Sequence, residues 1–358
     1  MFLRHITATT NTAGQQQSAG NAVLSEESVA DLLNRAQSHL SRGETHEALE
    51  FFDAAVARDP SDYLTFFKRA TTHLSMGRLV LASRDFARAL ELEPGFEGAH
   101  IQLAKISARH ADWERARHHY AEAHRGPDSA EIAELDDAQD AARLVEIAQK
   151  AASWDECIQQ ANSAILVANQ SPSLRLARAR CRLETGALES AVLDLERVLQ
   201  LMPGNTSIYF NISAILTYGN GDLQSAMTQT RRCLQSDPDS QACRKLLKKE
   251  KTIDKALEKS SKLMGKTPMA ATRILVGTAD EPGLIADVRA DMRDLVRQGV
   301  LPEHAPKRLY SKLIGLACRG YYEASRMFRK LPTLFMDEMH FPNDPLNLGP
   351  RQARPKVL

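Results

Sequence analysis

"GETHEALEFFDAAVARDP" (Gly43 to Pro60) and "GRLVLASRDFARALELEP" (Gly77 to Pro94) are one pattern written twice. Gly43 matches Gly77, Ala48 matches Ala82, Phe52 matches Phe86, Ala55 matches Ala89 and Pro60 matches Pro94, each 34 residues apart. A third copy holds Trp113, Ala116, Tyr120 and Ala123, with Ala116 again 34 beyond Ala82. The stretch upstream repeats too. "NRAQSHLSRG" (Asn34 to Gly43) aligns with "KRATTHLSMG" (Lys68 to Gly77), so Ala36 matches Ala70, and Leu103-Ala104 holds the same place in the third copy.

A fixed period of this length is the mark of a stacked helical unit that cannot bury its apolar stripe alone. The small residues read as close crossings: Ala36, Ala70 and Ala104 on a first helix A, Ala48, Ala82 and Ala116 on a second helix B. Phe52, Phe86 and Tyr120 fill the space between neighbours. Gly43 and Gly77 fall at the A-to-B turn, where a glycine C-cap is favoured, and Pro60 and Pro94 stop helix B. The pattern resembles the tetratricopeptide repeat. The expected fold class is all-α, a tetratricopeptide-repeat right-handed superhelix (α-α solenoid).

Further along, Cys157 takes the small helix B position, 41 after Ala116, and the extra seven residues fall in "GPDSAEIAELDDAQ" (Gly126 to Gln139), read as an acidic extension and joint. Ala191 follows by 34 and Ala226 by 35, with the extra residue in "YGNGD". A degenerate seventh unit runs through Gly265, Ala270 and Pro282, and the first helix of an eighth is expected near Leu309 to Tyr322. The expected organisation is a disordered leader at 1–25, repeats one to three at 26–128, repeats four to six at 129–250, a degenerate repeat and the start of another at 251–326, and an unstructured tail at 327–358.

Composition narrows the function. The chain holds 46 Lys+Arg against 45 Asp+Glu, net +1, which argues against a general nucleic-acid or anionic-membrane binder. No run of 18 apolar residues exists to span a membrane, and the leader as written has no apolar core of a signal peptide. No catalytic constellation is visible, so the protein is expected not to be an enzyme, with no metal, cofactor or small-molecule substrate. His118-His119 reads as a solvated pair on helix B. The carboxylates are expected on exposed faces, in weak surface pairs. "LLKKEKTIDKALEKSSK" (Leu246 to Lys262) reads as an amphipathic helix with a solvated charged face.

Function is therefore expected from a surface. Helix A residues at repeat positions near 2, 5, 9 and 12 line the concave groove of this kind of superhelix. They are Ala30, Leu33, Gln37 and Leu40 in unit one, Leu64, Phe67, Thr71 and Leu74 in unit two, and Gly98, Ile101, Lys105 and Ala108 in unit three, where Gly98 offers no side chain and Ile101 is the main contribution. The groove of the first two units is largely apolar and suits an extended hydrophobic peptide. A carboxylate clamp for acidic Hsp70 or Hsp90 tails needs Lys and Asn where Leu33 and Gln37 stand, so that reading is set aside.

Taken together, "YLTFFKRATTHLSMGR", "PGFEGAHIQLAKISARHADWERA", "RRCLQSDPDSQACRK" and "ILVGTADEPGLIADV" resemble the endoplasmic-reticulum-luminal co-chaperones that join tetratricopeptide repeats to a DnaJ domain. This is the family of the inhibitor of the interferon-induced protein kinase. The resemblance covers roughly residues 28–322. It implies a client site for unfolded polypeptides at the apolar groove and partnership with the luminal Hsp70 (BiP), although no His-Pro-Asp tripeptide of a J domain occurs in this chain. A scaffold or kinase-inhibitor module gripping one folded protein is the alternative. Spacing alone leaves Cys233 and Cys243 open between a disulfide and free core thiols; a metal is disfavoured because no second Cys or His pair accompanies them. The luminal resemblance implies the disulfide. Cys157 and Cys181 read as buried thiols.

Overall fold

Residues 27–278 and 281–328 are described in the computed structural model. The leader at 1–25 and the tail beyond residue 328 lie outside them. Sixteen α-helices follow one another among the described residues. They are α1 (Val29–Ser41), α2 (Thr45–Arg58), α3 (Tyr63–Ser75), α4 (Leu79–Leu92), α5 (Glu97–Arg109), α6 (Trp113–Glu122), α7 (Ala130–Lys150) and α8 (Trp154–Val167). Then come α9 (Pro172–Glu184), α10 (Leu188–Leu201), α11 (Thr206–Ala214) running on into a π-helical segment (Ile215–Asn220), α12 (Leu223–Ser236), α13 (Gln241–Met264), α14 (Pro268–Val276), α15 (Leu284–Arg297) and α16 (Arg308–Phe328). No strand forms among the described residues; one antiparallel bridge joins Gly277 and Pro282. The helices divide between two compact units, one ending at Leu174 and the other starting at Arg175. The three-part partition read from the repeats remains a proposal; its boundary at 250/251 falls within α13.

The turns repeat as closely as the helices. At the A-to-B turn φ is positive six times, at Gly43 (78°), Gly77 (72°), Ala111 (63°), Ala152 (54°), Gly186 (81°) and Gly221 (74°); among the described residues it is positive elsewhere at His124, Gly277 and Gly299. Left-handed backbone costs an L-residue about 1–2 kcal/mol, so Ala111 and Ala152 keep the turn at a strain the glycines avoid. Helix B ends at Arg58, Leu92, Leu201 and Ser236, each two residues before Pro60, Pro94, Pro203 or Pro238, because the residue preceding a proline is pushed out of the helical region. The small crossing residues Ala36, Ala48, Ala70, Ala82, Ala104 and Ala116 are fully buried, as are Phe52 and Phe86.

Both insertions are absorbed inside helices. The seven residues expected as a joint instead lengthen helix A: α7 spans 21 residues where α1, α3 and α5 span 13. Seven residues are close to two turns, so the buried face keeps its direction. The single extra residue of "YGNGD" becomes the π-helical segment, the usual form of a one-residue insertion. Gly219 lies there because a Cβ would sit 2.8 Å from the Leu188 side chain. The segment expected to open an eighth unit, Leu309 to Tyr322, lies in α16. A helix that the sequence reading passed over, α15, precedes it.

Three carboxylates depart from the expected exposed faces: Asp85, Asp194 and, on α13, Glu250. Asp85 and Asp194 are buried at 6% and 3% exposure. Arg69 grips Asp85 through Nε at 2.7 Å and Nη2 at 2.8 Å, and reaches Asp53 at 2.8 Å. Arg178 grips Asp194 through Nε at 2.9 Å and Nη2 at 2.5 Å. Both pairs span 16 residues and stand at equivalent repeat positions, tying helix A to helix B. Such forked pairs satisfy both partners, and losing one partner would strand a buried charge.

The cysteines also need a correction. Cys233, fully buried on α12, and Cys243, in the first turn of α13, are disulfide-bonded with Cα atoms 6.4 Å apart. Cys157 and Cys181 are disulfide-bonded as well, not free thiols in helix packing. Exposed Cys318 is free.

Candidate functional site

The expected groove residues lie on α1, α3 and α5, and none is buried. Leu33 and Leu40 are half-buried on α1, resting with Phe51 on the core cluster of Ala36, Ala48 and Phe52. Gln37 is exposed between them. On α3, Leu64 is 41% exposed. Phe67 and Leu74 are half-buried and pack on the cluster built around Phe66, Ala70, Ala82 and Phe86. Ile101 is half-buried on α5. The structure thus gathers Leu33 with Leu40 and Phe67 with Leu74. Each pair has its base in the core and part of its surface in solvent.

Aromatic side chains surround Phe67, and two of them, Tyr63 and Phe96, were not singled out by the repeat register. Phe96 meets Phe67 edge-on with centroids 4.9 Å apart, Tyr63 meets Phe96 at 5.0 Å, and Phe86 lies 5.5 Å beneath Phe67. Phe96 stands at the N-cap of α5, outside the helix A positions, so no periodic signal marked it. Gly98 is explained by this cluster. A Cβ there would come to 3.0 Å from the Phe96 ring and 3.4 Å from Phe67, so the missing side chain makes room for the aromatic pair. Around α1, Phe51 carries the Arg35 guanidinium at 4.7 Å and stacks on His39 at 5.0 Å. Another concavity of this unit has a different character. The cleft of about 890 Å³ between α2 and α4 is lined by Glu50, Asp53, Arg69, Arg84, Asp85 and Arg88 among others, and is charged.

His118 is exposed, but His119 is not the solvated residue expected. His119 Nδ1 lies 3.1 Å from Nδ1 of buried His100, whose Nε2 lies 2.9 Å from the Pro94 carbonyl. Nε2–H of His100 donates to that carbonyl, leaving its Nδ1 to accept from His119. Burial, followed by the charges of His100 and His118, pulls His119 down to about 4. Burial likewise lowers His73. Among the described residues no group of three or more His, Cys, Asp or Glu is placed to hold a metal.

No family model matches the chain. A tetratricopeptide repeat and J domain-containing co-chaperone of Fusarium oxysporum, DNJ1, is 48% identical over 298 residues, which are 83% of this chain and 57% of that protein. The chain is homologous to the tetratricopeptide-repeat and J-domain co-chaperones. A co-chaperone of the same description from Cryptococcus neoformans is 29% identical over 310 residues, 82% of this chain and 58% of the relative. Human DnaJ homolog subfamily C member 3 is 25% identical over 233 residues, 63% of this chain and 46% of the relative. The chain therefore spans somewhat more than half the length of its fungal relatives. Among solved structures, the P58(IPK) TPR domain superposes with a TM-score of 0.64 at 21% identity, covering 84% of this chain and 80% of that one, and shares its fold. Homology to co-chaperones accords with a repeat scaffold and not an enzyme.

Proposed function

We propose that the chain is the polypeptide-holding region of a co-chaperone, and that α1, α3 and α5 receive extended apolar segments of unfolded clients. The observation that carries this is Leu64, an exposed leucine on α3 one helical turn before Phe67, which is half-buried and packed with Phe96. Aromatic and aliphatic side chains with fixed bases and free tips bury apolar area without ordering themselves anew, at about 25 cal/mol per Å² covered. The compartment proposed is the endoplasmic reticulum lumen and the proposed chaperone is its Hsp70 (BiP). The J domain in the relatives' names and four disulfide-bonded cysteines, suited to an oxidising compartment, support both.

Light scattering of a reduced, aggregating model client measures the holding activity. The double variant Leu33→Glu, Leu64→Glu charges the exposed part of the groove and leaves Phe67 in place, and is expected to abolish most of the suppression. Unchanged suppression in a variant with unaltered circular dichroism would refute the groove. Mass mapping of the endogenous protein without reductant tests the compartment; free thiols at Cys233 and Cys243 would count against the lumen.

A further inference from the structure

The near-neutral total conceals two opposite halves. Residues 1–174 hold 16 Lys+Arg against 25 Asp+Glu, net −9; residues 175–358 hold 30 against 20, net +10; together they make the chain's +1. Much of the second unit's excess stands on α13. That helix buries Leu246, Glu250, Ile253, Ser260 and Met264 along one side. Lys248, Lys251, Lys255, Lys259 and Lys262 are all exposed and recur at intervals of three, four, four and three residues. At about 100° per residue they occupy an arc of about 80°, opposite the buried side. Lys262 pairs with Glu258. Among the described residues no ion pair engages the side chains of Lys248, Lys251, Lys255 or Lys259. Four uncompensated ammonium groups held in a row repel one another, and an anionic ligand relieves that repulsion.

The arc also says what kind of anion fits. It contains no aromatic side chain on which bases would stack and no apolar side chain to enter a lipid surface. The row from Lys248 to Lys262 rises about 21 Å. An extended polypeptide covers that length in about six or seven residues. We propose that the lysine stripe of α13 docks an extended, acidic segment of a partner protein, one with at least six consecutive or near-consecutive carboxylates.

Fluorescence anisotropy with a labelled ten-residue polyglutamate, titrated with the full chain at low ionic strength, tests this. Saturable binding is expected, weakening with salt as exposed charge pairs do. Replacing Lys248, Lys251, Lys255 and Lys259 with Gln is expected to weaken it by about tenfold or more. Removing four other exposed cations of the same unit (Lys307→Gln, Lys312→Gln, Arg319→Gln, Arg326→Gln) is expected to change it by less than about twofold. The smaller variant Lys251→Glu, Lys255→Glu, which keeps good helix formers, should reproduce the loss. Equal losses in the two quadruple variants would reduce the effect to net charge and overturn the proposal. So would the absence of saturable binding. Tighter, stripe-dependent binding of a ten-residue oligothymidine or of phosphatidylserine vesicles would overturn the assignment of the occupant.

Discussion

In the first unit the core is a series of small clusters between neighbouring helices. Ala36, Ala48 and Phe52 make one, Phe66, Phe86 and Ile106 belong to a second, and Ala104, Tyr120 and Leu135 to a third. In the second unit one large cluster runs from Ala179 to Ala317, drawing in Ile215 and Tyr218 of the π-helical segment and Leu309 and Leu313 of α16. There α16 packs on α14 and, across some ninety residues of chain, on the π-helical segment. A polar hub lies beside it. Buried Glu250 of α13 accepts hydrogen bonds from Ser213, Thr217 and Thr230, on α11, the π-helical segment and α12. Burial raises its carboxyl. Stacked repeats are stabilised by neighbours only, whereas a core closed by distant elements opens as a whole.

The first way to break this contrast is Phe86→Ala. Emptying a fully buried aromatic site costs about 3–5 kcal/mol. Hydrogen exchange should then accelerate in α3, α4 and α5 while α11 to α16 keep their protection. Acceleration across both units would show that the first is not modular. Next comes the staple of the second unit. The disulfide closes a loop of ten residues, so Cys233→Ser with Cys243→Ser should lower the stability of that unit by about 2–3 kcal/mol, read by urea unfolding. Exchange should rise in α13 and α16 alike, because one cluster joins them. An effect confined to α12 and the start of α13 would contradict a core shared by α13 and α16.

Smaller effects sharpen the description of the first unit. Ala111→Gly should raise its stability by about 1 kcal/mol, since glycine adopts the observed positive φ without steric cost; a loss of stability would mean that the turn is not strained. The weakest expected effect is a pH slope. The folded protein holds His119 near 4 against 6.5 for the free group, so the unfolded chain binds more protons between those values. Stability should therefore be complete above about 6.5 and decline as the pH falls toward 4. The His119→Gln variant should show a shallower decline, with the remainder due in part to His73, also lowered by burial.

What the sequence showed and what it hid follow the same division. The 34-residue period exposed Ala48, Phe52 and Gly43 because stacked units put the same demand on the same position each time. It marked the helix A residues Leu33, Leu40, Leu64, Phe67 and Leu74 for the same reason. Phe96 was hidden because it works from a loop, and Gly98 had no visible purpose until the rings beside it were placed. The Arg69–Asp85 and Arg178–Asp194 pairs did repeat, sixteen residues apart, and could have been found by looking for charge at buried register positions. Glu250, the α16 closure and the bonded state of Cys157 and Cys181 rest on contacts or bonds with no periodic signature. The lysine row of α13 was legible as amphipathic charge, but its neutral surroundings in the total count concealed it.

The account stands most directly on where a client touches the chain. Hydrogen exchange on the full chain, with and without a saturating reduced client, locates that contact. The expected result is new protection on α1, α3 and α5, centred near Leu33, Leu64 and Phe67, with α14 and α16 unchanged. Protection absent from α1 and α3, with client bound elsewhere, would contradict the apolar groove as the client site.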